Sequence, residues 1–337
     1  MIRAKVYIGM MVFLFILVSI FGNNSICRAE VVRIGFVTAG NAVNDNSFNG
    51  MTIAGLRRLQ RDFQVEVLVR SGGYVVESVR QAILSLLKEN VRIIVTNSAT
   101  VEGRFAEIAL DYPNVVFVLN DCNIEGYPNV VSIDYAQEMG SYLVGALCAW
   151  QTKTGKVGFI GGNEMPVIKG FLNGFLQGVR FSGRDIEVDV KFVRRGNSEK
   201  GFEDPKQANA LAMGMYNSGV DIIYAVAGLA GNGVIQAARK TGNQVVGVDS
   251  NQDHMAKGVV LTSMMKRLDV AVYKEVRSIL TGTFAPGCKV YNLGNEGVGL
   301  TEMKYSKHLV APEVLDKLEK LRNDLISGNV KVEPSAE

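Results

Sequence analysis

Six consecutive residues, Asn44-Asp45-Asn46-Ser47-Phe48-Asn49, bring a carboxylate, three amides, a hydroxyl and an aromatic ring into one short segment. Carboxylates and amides recognise hydroxyls and ring nitrogens, and an aromatic ring stacks on a flat partner. Asn46 or Ser47 also suits the cap of a helix beginning at Phe48, but capping does not require an aromatic there. Polar groups of the same kind recur downstream: Asn97 after Thr96, Asp121 after Asn120, Asp249 after Val248, and Lys266 beyond Thr262-Ser263. Each alone reads as a turn residue or a solvated charge. Their recurrence just past short apolar runs makes them candidates for one binding site. Phe202, in the charged and glycine-containing loop Arg194–Asp204, offers a second stacking face or a hydrophobic plug. The segment Gly228-Leu229-Ala230-Gly231-Asn232-Gly233 has neither the Lys-Ser/Thr of a P-loop nor the spacing of a dinucleotide fingerprint. It reads as a tight turn, centred on Gly228, that lets backbone approach a ligand.

Catalytic patterns are missing. The two histidines, His254 and His308, have no metal-ligand spacing, and no G-x-S-x-G elbow occurs. No cofactor and no metal are expected.

The elements that must position these groups alternate. Val31–Ala39, Val65–Val69, Arg92–Thr96, Val115–Leu119 and Val130–Ile133 read as buried strands, with helices over Phe48–Phe63, Val76–Glu89 and Val101–Asp111 between the first four. The rhythm restarts with a helix over Tyr135–Gln151. Strands follow at Lys156–Ile160, Glu187–Val193, Asp221–Val226, Gln244–Val248 and Val259–Ser263, again with helices between them. Helices are also expected at Leu268–Thr281 and Pro312–Ile326, with a short strand near Lys289–Leu293. Such a β-α-β rhythm specifies an α/β fold with doubly wound parallel sheets, and two units in series specify two lobes with a cleft between them. In open parallel sheets ligands bind beyond the carboxyl ends of the strands, where the polar groups above fall.

The amino-terminal segment sets the compartment. Arg3 and Lys5 precede a nearly unbroken apolar run of 14 residues, Ile8–Phe21, shorter than the roughly 20 residues of a membrane span. Cys27-Arg28-Ala29 places small residues as a secretory cleavage site requires, so residues 1–29 read as a signal peptide; an uncleaved amino-terminal anchor and lipidation at Cys27 are the competing readings. The 36 basic residues include Arg3, Lys5 and Arg28, so 33 remain against 33 acidic ones once the leader is gone. That balance gives no reason to expect a nucleic-acid partner. Of the four cysteines, the three beyond the leader, Cys122, Cys148 and Cys288, are too few and too odd in number for a disulfide framework.

Several separated segments resemble the basic membrane protein family of substrate-binding proteins, which includes purine-nucleoside receptors of ABC importers. They are Asp45–Asn49, the run Lys153–Gly162, Ala227-Gly228 with Gly231–Val234, Val246–Asp249 and Thr262–Arg267. The resemblance covers nearly all of residues 31–302. It implies a type I periplasmic-binding-protein fold with three crossings between lobes. The implied division is residues 30–133 plus about 263–285 in one lobe and 134–262 plus about 286–337 in the other. It further implies Phe48 and Phe202 as a stacking pair for a base, Asp249 and Lys266 as ribose contacts, and Asp45 and Asp121 as polar contacts, with Asn49, Asn97 and Gly228 completing the site. The implied partners are a purine nucleoside and the permease and ATPase of an ABC importer, served by an exported monomer. Asn46 departs from the family's usual lysine. The alternatives are a surface antigen or adhesin with a vestigial cleft, an exported hydrolase or nucleosidase, and a binder of a sugar or other solute. A repressor with the same core needs a helix-turn-helix where the leader stands.

Overall fold

The computed structural model describes residues 31–73, 75–97, 105–195 and 201–334, with the backbone alone for 105–107. The leader, and with it Cys27, lies outside the described residues.

The first sheet is built from β1 (Val32–Thr38), β2 (Val65–Ser71), β3 (Ile93–Thr96), β4 (Val116–Asn120), β5 (Val130–Tyr135) and, much later in the chain, β11 (Gly287–Tyr291). Their order is β11-β5-β4-β3-β1-β2, and every pairing is parallel. The second sheet takes β6 (Lys156–Asn163), β7 (Glu187–Arg194), β8 (Ile222–Val226), β9 (Gln244–Asp249), β10 (Val260–Lys266) and β12 (Val298–Leu300). Its order is β12-β10-β9-β8-β6-β7, parallel except for the edge strand β12.

Continuous apolar strands such as Ile93–Thr96 and Ile222–Val226 are buried along their whole length because helices cover both faces. The alternation of side chains makes this visible: Phe36 belongs to one core cluster and its neighbour Val37 to another on the opposite face of β1. The helices are α1 (Phe48–Asp62), α2 (Val76–Leu87), α3 (Phe105–Asp111), α4 (Gln137–Gln151), α5 (Pro166–Phe181), α6 (Pro205–Asn217), α7 (Gly231–Thr241), α8 (Leu268–Leu280) and α9 (Pro312–Ser327). The largest apolar cluster includes Val95 and Ile133 of the first sheet, Leu147 of α4, and Phe159 and Val246 of the second sheet. The two lobes thus share one continuous core.

The chain leaves the first sheet after β5, returns to it through β11, and ends in the second with β12 and α9. Residues 286–337 were expected to belong to the second lobe, yet β11 pairs with β5 from Gly287↔Val131 to Tyr291↔Tyr135. The physical reason is edge coverage: β5 would otherwise expose an unpaired edge, and a five-residue strand closes it. The strand expected to end at Ser263 runs on to Lys266, which makes Lys266 the last residue of β10 and places it in the second sheet.

Candidate functional site

A cavity of about 570 Å³ lies between the carboxyl ends of the two sheets, within the usual range for a small-molecule site. Asp45, Phe48, Asn49, Asn97 and Asp121 line it from the first lobe. Phe202, Gly228, Asp249 and Lys266 line it from the second. All nine residues singled out in the sequence therefore face one space, but they do different work there.

Asp45 anchors the start of α1. Its Oδ1 accepts the backbone N–H groups of Ser47 (2.9 Å) and Gly50 (3.0 Å), and its Oδ2 accepts that of Asn49 (3.0 Å). Ser47 occupies the position of the helix cap but makes no side-chain capping bond; Asp45, two residues earlier, satisfies the orphan donors instead. Burial raises the Asp45 carboxyl above its ordinary range, against the pull of those backbone donors.

The amides Asn49, Asn97 and Asn120 form a buried chain across the strand ends. Tyr135 donates to Asn120 Oδ1, Asn120 donates to Asn97 Oδ1, and Asn97 donates to Asn49 Oδ1, at 2.9, 2.9 and 3.0 Å. Asn49 then donates to the carbonyls of Ala39 and Ala42. With both amide protons of Asn49 engaged, its role is to hold the loop Ala39–Asn49 in shape.

The charged centre is different. Asp121 follows β4 and Asp249 ends β9, each strand being third from an edge in its six-stranded sheet. Both adopt left-handed backbone, with φ of 56° and 63°. That conformation is costly for a residue with a side chain and concentrates at functional sites. Lys266 stands between these carboxylates in effect: its Nζ is 2.5 Å from Asp121 Oδ1, and its charge lowers the Asp249 pKa. Lys266 is 1% exposed. Its ammonium is also 5.3, 4.9 and 5.4 Å from the ring centroids of Phe48, Tyr135 and Phe171, within cation–π range. Burial pushes the Asp249 carboxyl up to about 6; Lys266 and a 2.5 Å bond from Ser47 Oγ oppose this, while Asp45 and Asp121 add to it.

Phe202 is fixed by its neighbours. Asp204 caps α6 by accepting the Gln207 N–H, and the Phe202 carbonyl accepts the Ala230 N–H at 2.8 Å. The ring packs so closely on the end of β6 that a Cβ on Gly162 would meet it at 2.3 Å. Gly228, with φ of 54°, supplies the left-handed turn beneath it at the start of the 3-10 segment Gly228–Ala230.

Four further bonds tie the lobes across the cavity. Glu203 accepts the backbone N–H groups of Asn41 (2.7 Å) and Ala42 (3.0 Å), while Ser250 and Gln252 both donate to the Asn46 carbonyl. The loop Asn41–Asn49 of the first lobe is thus held by the second at two places, Asn41-Ala42 and Asn46.

Sequence reasoning did not single out Asn163, Met165, Phe171 or Glu203, which also line the cavity. Asn163 ends β6 and was accessible to the strand-end rule. Phe171 sits with Ile168 on the apolar stripe of α5, where helical periodicity cannot separate core from cavity wall. Among the described residues, no cluster of His, Cys, Asp and Glu suits a metal ion, and no helix is long and apolar enough to cross a membrane. Cys122, Cys148 and Cys288 are unbridged.

A family model for PnrA-like ABC transporter substrate-binding proteins matches residues 31–335. A CD4+ T-cell-stimulating antigen of Listeria monocytogenes is 30% identical over 320 residues, covering 89% of this chain and 87% of that protein. The ABC transporter nucleoside-binding protein BmpA of Lactococcus lactis is 28% identical, covering 89% of each. Among solved structures, a solute-binding protein of an ABC transporter system from Aeropyrum pernix superposes with a TM-score of 0.82 at 22% identity, covering 91% of this chain and 94% of that one. The fold is the type I periplasmic-binding-protein fold expected from the sequence.

Proposed function

Because the chain belongs to the PnrA-like family of ABC transporter substrate-binding proteins, we propose that its cleft captures a purine nucleoside outside the cytoplasmic membrane and delivers it to an ABC permease. On this reading the protein is a monomeric carrier, either free or held by lipid at Cys27, and carries out no catalytic step. The observation that supports the ligand class is the buried Lys266 cluster beside aromatic rings. A nucleoside presents a flat base and a vicinal diol. The base stacks between Phe48 and Phe202, contributing about 1–3 kcal/mol per face. The diol donates to the carboxylates of Asp249 and Asp121 and accepts from Lys266, and charge-assisted bonds of this kind are the strong ones. Closure desolvates both sets of contacts and fixes the surface that a permease meets.

The test is thermal unfolding of residues 30–337 against guanosine, adenosine, inosine, cytidine and ribose. A ligand that binds the folded state raises the midpoint by mass action. Purine nucleosides are expected to raise it and ribose is not; a rise with ribose alone would replace the nucleoside by a sugar.

The raised carboxyl of Asp249 gives a pH signature. The diol bonds need its ionised form, so affinity is constant above pH 7 and falls by about tenfold per unit below its pKa of about 6, as for one linked proton. Its contribution to folding runs the other way. A carboxyl raised in the folded state stabilises fully below its ordinary value of 3.8, and that contribution is lost as pH rises through about 6. Calorimetric titrations between pH 5 and 8, paired with melting curves of the free protein, separate the two. A flat affinity across that window would remove Asp249 from the diol site.

A further inference from the structure

The last residue of β6 carries the cavity's unexplained polar group. Asn163 is 6% exposed and lines the cavity, yet its Oδ1 is buried without a hydrogen-bond partner. None of the bonds that organise the Lys266 cluster or the amide chain reaches it. An amide can make about four hydrogen bonds, and leaving a buried one unmade is destabilising, so such a group calls for an explanation. Asn163 Oδ1 is packed against the backbone of Gly201, only 2.0 Å from where a Cβ there would stand, so the amide turns its oxygen into the cavity by rotating about its last side-chain bond. Gly162, just before it, packs against the Phe202 ring, and the apolar Met165 and Ile168 line the same cavity.

We propose that Asn163 reads the edge of the base that stacks on Phe202. This rests on the nucleoside reading of the cavity and deepens it. A ring stacked on Phe202 brings its edge to the end of β6, where an amide offers a donor and an acceptor side by side. Purines present matching pairs, as when asparagine pairs bidentately with the N6 and N7 of adenine. The same amide satisfies adenine, hypoxanthine or guanine by rotating, so its chemistry selects for a base with hydrogen-bonding groups on its edge rather than for one purine. It gives nothing to ribose.

The test uses Asn163→Leu, which keeps the shape of the side chain and removes its polarity. Two readouts move in opposite directions. The free protein is expected to melt at or above the wild-type temperature, because an unsatisfied buried amide has been removed. Its affinity for guanosine and adenosine, measured by calorimetry, is expected to fall by about tenfold or more, the loss of a good hydrogen-bonded pair. A residue with a purely structural role would lower stability and affinity together, and that result overturns the proposal. So does an Asn163→Leu protein that binds both nucleosides within twofold of wild type. If wild-type protein binds neither nucleoside, it is the nucleoside reading beneath the proposal that fails.

Discussion

Replacing Lys266 by methionine is expected to abolish measurable nucleoside binding and to destabilise the fold by about 3–5 kcal/mol, the cost of leaving one half of a buried ion pair unpaired. The ammonium is 2.5 Å from Asp121, lowers the pKa of Asp249, and is shielded from water. Methionine fills similar volume, so the loss reports charge rather than packing. Removing the cation leaves the buried Asp249 facing the charges of Asp121 and Asp45, both of which already push its carboxyl up. Urea unfolding measures the first effect and calorimetric titration the second. A double variant, Lys266→Met with Asp121→Asn, separates them: neutralising the orphaned carboxylate should restore most of the stability and none of the binding. If Lys266→Met unfolds at wild-type urea concentrations, the ammonium is not the counter-charge that the geometry makes it.

Replacing Phe48 by alanine is expected to lower nucleoside affinity by tenfold or more, since stacking contributes about 1–3 kcal/mol per base. Phe48 opens α1 and is held there by the Asp45 bonds to Ser47, Asn49 and Gly50. Its ring is only half-buried, so truncation costs little in folding and much in binding. It also faces the Lys266 ammonium at 5.3 Å, so its removal weakens a second interaction within the site. Phe48→Tyr should retain affinity and Phe48→Ala should not. Equal affinities in the alanine variant and the wild type, by calorimetry, would assign the ring to the wall of the cleft alone.

How far the site could be read from sequence follows from one property of parallel sheets. All strands of a sheet end on the same side, so residues just past strand ends converge, and Asp121, Asp249 and Lys266 were placed by that rule. Hydrogen-bond assignment within the loops was not legible. Asp45 has the look of a ligand carboxylate, but three backbone N–H groups take it up as a helix anchor. Asn49 and Asn97 are committed to the amide chain through Asn120 and Tyr135. Nothing in their types or spacing distinguishes a satisfied amide from the unsatisfied one at Asn163; that depends on neighbours distant in sequence. The return of β11 to the first sheet was hidden for a related reason. Its five residues carry no pattern that says which of two similar sheet edges they will cover. Glu203 reads as a solvated charge in a loop, and its grip on Asn41 and Ala42 depends on neighbours about 160 residues away in sequence.

The grip also bears on transport. Four bonds cross the cleft at the loop Asn41–Asn49. Each is a neutral or charge-assisted hydrogen bond worth about 0.5–3 kcal/mol net, so opening the cleft at this loop costs those bonds.

The most direct test of the central claim is a calorimetric titration of protein freed of co-purified small molecules with guanosine, free guanine and ribose. Stacking and diol recognition act on two halves of one molecule, so the nucleoside should bind at least a hundredfold more tightly than either half. Binding of ribose as tightly as guanosine, or of none of the three, would contradict it.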